Sequence, residues 1–175
     1  MFCFIRCAML TIRSSRDDDI PSITSIYSYY VLNSTCTFEI IPPTNEEMAS
    51  RRDDVLQKTL PYLVAEVNNS IVGYAYCNWF KPRAAYRYAV ELSIYFDKDQ
   101  CGKGYGRQLL NALITEAELV GVRKMIASIG DSTNEKSIHL HRAAGFAHVG
   151  TLKSCGWKGR GRIRSIFGPS AISTF

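Results

Sequence analysis

The sequence predicts an α+β domain built on a mixed sheet, antiparallel at first and closing with one parallel pair. Three observations carry this. Short β-type apolar runs and helical-period runs follow one another in the order β-α-α-β-β-β-α-β-α-β. Two of the runs, Tyr62–Val67 and Ile71–Trp79, flank Asn68-Asn69, a hairpin turn. A helix around Leu109 stands between the strands Tyr86–Phe96 and Lys124–Ile129, and such a crossover joins parallel neighbours. At 175 residues the chain forms a single domain large enough to bury a core.

Leu10–Arg13 reads as the first strand, and Ser15-Arg16-Asp17-Asp18 has the form of a capping box. Ile20, Ile23, Tyr27, Tyr30 and Val31 then recur at helical spacing as core positions, until Asn33-Ser34-Thr35 ends the helix. Thr44 and Glu47 make a second box ahead of an exposed, charged helix, Met48–Lys58, whose Arg51-Arg52 pair reads as a solvated face. Pro61 closes that region. After the hairpin, the loop Phe80–Ala85 leads into the strand Tyr86–Phe96. Leu109, Leu110, Leu113, Ile114 and Ala117 mark an amphipathic helix that stops at Gly121. Lys124–Ile129 is a buried strand, Asn134–Ala144 a short helix ended by Gly145, and Phe146–Leu152 opens another strand.

Composition narrows the function. No apolar run approaches membrane-spanning length, and no basic run interleaved with aromatics suggests nucleic acid. The net charge of +5 is modest and suits a polyanionic ligand. Residues 1–8, too short for a signal peptide and interrupted by Arg6, read as an appendage before a natural start at Met9; residues 9–175 are the domain. The six cysteines, at 3, 7, 36, 77, 101 and 155, show no metal-type pairing, which fits reduced thiols in a cytoplasm and no metal centre.

The corner between Phe96 and the Leu109 helix is the chemical focus. Gly102-Lys103-Gly104-Tyr105-Gly106 is followed by a helical run from about Arg107. Alternate glycines let backbone N–H groups converge, and a helix start adds unpaired donors and a positive dipole end. That is a seat for phosphate or pyrophosphate, or else a tight turn. A Walker loop is absent, and a dinucleotide fingerprint has different spacing and an earlier place in a fold. Glu91, among Val90, Leu92, Ile94 and Tyr95, is either a solvent-facing strand residue or a proton acceptor. Lys81, Arg83 and Tyr86, behind Trp79 and Phe80, form either an ordinary basic loop or a clamp for a small anion. Phe38, after the hydroxyl-rich Asn33–Thr37, either lines an acceptor pocket or belongs to a helix exit.

Two stretches resemble motifs of the GCN5-related N-acetyltransferases (GNAT). Cys101-Gly-Lys-Gly-Tyr-Gly106 is similar to motif A, [QR]-x-x-G-x-[GA], with cysteine in the first position. Asn134-Glu-Lys-Ser-Ile-His-Leu-His-Arg-Ala-Ala-Gly-Phe146 is similar to motif B. Further matches, Pro61–Glu66, Gly73–Tyr76, Arg83–Arg87, Ser93–Tyr95 and Gly150–Ser154 among them, extend the resemblance over about residues 10–156, toward the phosphinothricin and methionine sulfoximine N-acetyltransferases. It implies a twisted, mostly antiparallel sheet flanked by helices, and acetyl-CoA as co-substrate. It implies a small amino-acid-like acceptor and a homodimer.

The resemblance also assigns roles. Glu91 is the implied base and His141 the implied proton relay or donor to the leaving thiolate. Ile94, Tyr95, Phe96, Gly102, Lys103, Gly104, Tyr105, Gly106, Arg107 and Asn134 are implied cofactor contacts. Phe38, Lys81, Arg83 and Tyr86 are implied on the acceptor side. His139, on another helical face, reads as surface. After Gly156 the text departs from the branch, as do Ala89 and Leu92. Two other readings keep a place: the same fold acting on a protein N-terminus or a polyamine, and a non-catalytic CoA-binding module. The cations Lys81 and Arg83 count against a polyamine, and the presence of both Glu91 and His141 counts against loss of turnover.

Overall fold

The computed structural model describes residues 9–130, 133–158 and 161–171, so the proposed appendage at 1–8 lies outside it. The strands are β1 (Leu10–Ser14), β2 (Tyr62–Val67), β3 (Ser70–Trp79), β4 (Ala89–Phe96), β5 (Lys124–Ile129), β6 (Gly150–Lys158) and β7 (Gly161–Ala171). The helices are α1 (Ile20–Asn33), α2 (Asn45–Gln57), α3 (Tyr105–Leu119) and α4 (Glu135–Ala143). They build the expected α+β domain. The seven strands form one sheet in the order β1-β2-β3-β4-β5-β7-β6, in which only β4 and β5 run parallel, joined through α3. Asn68 and Asn69 both take positive φ, as the two-residue hairpin turn between β2 and β3 requires.

Side chains alternate across the sheet. One face carries Tyr62, Tyr74, Tyr76 and Tyr95, with Tyr62 opposite Tyr76 and Tyr74 opposite Tyr95, their rings stacked. Tyr27 of α1 meets the Tyr95 ring edge-on, so α1 covers this face. Along the same row of β3 and β4 follow Tyr76 opposite Ser93 and Asn78 opposite Glu91. The row therefore passes from apolar to polar toward the open end of the sheet. On the opposite face Leu109, Leu110, Leu113 and Ala117 of α3 are fully buried with Val90, Leu92 and Met125. The predicted helical face and the predicted strand Lys124–Ile129 are both realised.

Several local expectations are corrected. Ser15 does not cap α1. A short 3-10 turn, Asp17–Asp19, precedes the helix, and Asp19 accepts the Arg16 N–H at 2.7 Å and two hydrogen bonds from the Arg13 guanidinium. Burial alone would raise the Asp19 carboxyl; the hydrogen bonds from Arg13 and Arg16 outweigh it and hold the group below its ordinary range. The strand expected from Tyr86 starts at Ala89, because Ala84–Tyr86 closes into a 3-10 turn. β6 begins at Gly150, four residues beyond the expected Phe146, which is buried in the core. α3 starts at Tyr105 rather than Arg107. β7 was not expected: Gly161, Gly168 and Pro169 all count against a strand interior.

The Arg51-Arg52 pair is not a solvated face. Arg52 is buried, donating from Nε to Ser15 Oγ and from Nη2 to the Ser15 carbonyl, both at 2.7 Å, and from Nη1 to Asp17 at 2.8 Å. Arg51 ties Glu39 to Glu47. Arg52→Ala is expected to cost about 1.5–3 kcal/mol, since it strips charged donors from a buried carbonyl. Arg51→Ala, more open to solvent, is expected to cost under about 1 kcal/mol. Urea unfolding of the two variants at constant m-value checks the contrast.

Candidate active site

β4 and β5 pair only as far as Leu92 opposite Ala127. Beyond that point they diverge, so Ser93–Phe96 keep β3 on one side and have no strand partner on the other among the described residues. Into this gap opens a cleft of about 1060 Å³. Leu92–Phe96 line it on the β4 side and Ala127–Gly130 on the β5 side. Tyr30 of α1 also lines it, its hydroxyl donating to the Phe96 carbonyl at 2.6 Å. Gly130 admits the chain after α1, because a Cβ there would lie 2.8 Å from the Cys36 carbonyl oxygen.

The far end of the cleft is the glycine corner. Gly102 and Gly104 both sit at φ +81°, with open space where a Cβ would stand, and Gly104 is the N-cap of α3. The first N–H groups of α3 have no carbonyl partner within the helix, and the positive end of a 15-residue helix dipole lies at the same place. This is an anion seat. Cys101, in the departed motif position, is exposed, with its Sγ 3.5 Å from the Asp97 carbonyl and 3.9 Å from the Tyr30 hydroxyl.

α4 walls the cleft on its other side. Asn134 caps this helix, its Oδ1 accepting the Ser137 N–H at 3.2 Å. His141 is 5% exposed, and its Nδ1 lies 2.8 Å from the Ser137 carbonyl, so Nδ1 carries the proton and donates. Its Nε2 is buried without a hydrogen-bond partner, and the ring meets Phe146 edge-on. Burial pushes the imidazole below its ordinary pKa, against the opposing effect of the Ser137 carbonyl. His141 is therefore neutral at physiological pH and presents an acceptor at Nε2.

A group whose folded pKa is depressed lends stability above its unfolded pKa, about 6.5 for histidine, and that stability is lost progressively as pH falls from this value through the lower folded one. The melting temperature should accordingly drop between about pH 7 and pH 5. His141→Asn should flatten that part of the profile, as thermal melts across the range would show.

A second cavity, of about 420 Å³, lies on the tyrosine face and is lined by Lys58, Tyr76, Asn78, Trp79, Phe80, Lys81, Pro82, Glu91 and Ser93. Ser93, the first residue of β4 beyond its pairing with β5, lines both cavities. Glu91, half-buried, belongs to the smaller cavity, and His141 and the anion seat belong to the larger.

The acetyltransferase (GNAT) domain family matches residues 12–166. The chain belongs to this family. Within it, the chain falls in the phosphinothricin and methionine sulfoximine acetyltransferase branch. It is 48% identical over 153 residues to a phosphinothricin N-acetyltransferase of Alcaligenes faecalis, covering 87% of this chain and 77% of that protein. It is 36% identical over 149 residues to an L-methionine sulfoximine/L-methionine sulfone acetyltransferase of Pseudomonas aeruginosa, covering 85% and 86%. The crystal structure of a GNAT superfamily phosphinothricin acetyltransferase from Sinorhizobium meliloti, in complex with acetyl-CoA, superposes with a TM-score of 0.88. There the identity is 40%, with coverage of 91% of this chain and 86% of that one.

Of the residues the sequence assigned to the co-substrate of this GNAT domain, Ile94, Tyr95, Phe96, Gly102, Gly104, Gly106, Arg107 and Asn134 line the cleft. Two are not in the lining: Lys103, whose Nζ donates to Gln100 at the cleft's edge at 2.6 Å, and Tyr105, which packs on the core. His139 lines the cleft although it is exposed. On the acceptor side Lys81 joins Glu91. Arg83, Tyr86 and Phe38 are exposed and lie outside the lining of that cavity, although the Tyr86 ring stands 6.1 Å from Phe80, which is part of it. Sequence reasoning missed Lys58 and Asn78, which face Glu91's cavity, and Tyr30, which it placed in the core.

Among the described residues no cluster of three or more His, Cys, Asp or Glu could hold a metal ion. No described helix is long and apolar enough to cross a membrane. Burial pushes the Cys77 thiol up to about 12, which leaves it inert.

Proposed function

We propose that this GNAT chain transfers the acetyl group of acetyl-CoA to the α-amine of a small amino-acid analogue of the phosphinothricin, methionine sulfoximine or methionine sulfone type. Transfer is by direct attack in a ternary complex. The observation that carries the reading is that Ser93 borders two cavities, one holding a carboxylate and the other reaching the glycine corner at the start of α3. Acetyl-CoA, which the acetyltransferase of Sinorhizobium meliloti binds, supplies an activated thioester when present. The residues here suit it: the α3 N-terminus with Gly102–Gly106 holds pyrophosphate, and the β4–β5 gap offers backbone groups to an amide-bearing arm. His141 lines the same cleft, and its Nε2, without a partner, would accept a donor from that arm.

An ammonium group cannot attack a carbonyl, so the acceptor must first lose a proton. Glu91 takes it, directly or through one water. Unpaired N–H groups of Ser93–Phe96 stabilise the negative charge that grows on the thioester oxygen. His141, neutral and without a partner at Nε2, takes the second proton that the attacking nitrogen sheds as the C–N bond forms and hands it to the sulfur as the C–S bond breaks. The reading includes a homodimer in the cytoplasm, where acetyl-CoA and free amino acids meet.

A thiol-release assay tests it with phosphinothricin, methionine sulfoximine, methionine sulfone, spermidine and a short peptide. The amino-acid analogues are expected to turn over in preference to both others. Preference for spermidine or the peptide would overturn the acceptor assignment.

A further inference from the structure

Resting on that reading, we propose that Lys58 reads the α-carboxylate of the acceptor, which restricts the site to α-amino acids over simple amines. Glu91 has Asn78 directly opposite it on β3, so their Cβ atoms are about 5 Å apart on one face. Asn78 Oδ1 in turn accepts from Lys58 Nζ at 3.0 Å. The Lys58 ammonium thus stands one side chain away from the carboxylate that receives the amine. In an α-amino acid the carboxylate sits on the carbon that bears the amine. A donor at this short remove from Glu91 meets that carboxylate, and not the far end of the molecule.

The ammonium is fixed in place. It donates to Asp54 Oδ2 at 2.6 Å, lies 5.4 Å above the centre of the Trp79 ring, and closes a ring of hydrogen bonds with Asn78 Nδ2, which donates to the same Asp54 oxygen at 2.9 Å. Trp79 N–H donates to Asn78 Oδ1 at 2.8 Å and holds that amide still. An ammonium has three N–H donors, and Asp54 and Asn78 take two, which leaves one for a ligand in the cavity that Lys58 lines. Asp54 neutralises the charge of Lys58, so Lys58 contributes a directed donor. The other cation of the cavity is Lys81, seated 5.0 Å over the Phe80 ring, which is left to meet the distal phosphinyl or sulfonyl oxygens.

The test crosses two acceptors with two variants. Methionine sulfone and its decarboxylated counterpart, 3-(methylsulfonyl)propan-1-amine, differ only in the carboxylate. The wild-type chain should prefer the amino acid in kcat/KM. Lys58→Met should lower kcat/KM for methionine sulfone by about 10–100-fold, chiefly through KM, and leave the amine nearly unchanged. Lys81→Met should weaken both acceptors alike. Lys58→Leu, which likewise carries no donor, gives the same readout should the Met variant not fold, and Lys58→Arg should restore the preference. An equal loss for both acceptors in Lys58→Met, or loss of the preference in Lys81→Met instead, overturns the assignment. A wild-type chain that acetylates the amine as well as the amino acid overturns it too. A wild-type chain inert toward every amino-acid analogue overturns the proposed function itself.

Discussion

Glu91→Gln is expected to lower turnover by about 10²–10⁴-fold, the span usual for a lost general base. Glutamine keeps the size and one acceptor oxygen of the side chain but takes no proton from an ammonium at neutral pH. The affinity for acetyl-CoA, measured by calorimetry, should hardly change, because Glu91 lines the smaller cavity and not the cleft. The deficit should narrow as pH rises, since more of the acceptor then arrives already deprotonated. Near-normal turnover of the variant from pH 6 to 9 would move the base elsewhere. Tyr76 and Tyr95 are poor replacements, because burial pushes both phenols above their ordinary range and keeps them protonated.

Local signals carried much of the fold. The Asn68-Asn69 turn, the apolar stripe of α3, the strand Lys124–Ile129 and the Thr44 cap each depend on neighbours a few residues away, and each is found where the sequence puts it. Element ends slipped by a few residues, and two misread side chains depend on long-range partners. Arg52 reads as surface because its partner Ser15 lies 37 residues back, and Lys58 reads as the end of a charged helix because Asn78 lies 20 residues on. No spacing rule reaches that far.

The site divides along the same line. Backbone geometry at Gly104 is written into the local text, since glycine takes a positive φ without steric cost. The state of His141 is not. Its motif marks the position, while the Ser137 carbonyl and the burial around it decide which nitrogen bears the proton and that the ring is neutral. β7 was hidden by its own glycines and Pro169, although it lies between β5 and β6 in the sheet.

The glycine corner permits a test with an internal control. Gly104→Val should weaken acetyl-CoA binding by about 100-fold or more, the loss of two charge-assisted backbone hydrogen bonds to pyrophosphate. A branched side chain disfavours φ +81°, so the backbone relaxes and its N–H groups turn from the anion. Strain alone also destabilises the fold, by about 1–3 kcal/mol, and has to be separated from the loss of ligand. Gly121, just beyond the other end of α3, supplies the separation: it has φ +86° and likewise open space at its Cβ. Gly121→Val should lose similar thermal stability and keep its affinity for acetyl-CoA, because no anion seat lies at a helix C-terminus. Calorimetry and melting curves on the pair therefore read strain and binding apart. Equal affinities in two folded variants would remove the pyrophosphate from Gly104 and with it the placement of acetyl-CoA in the cleft.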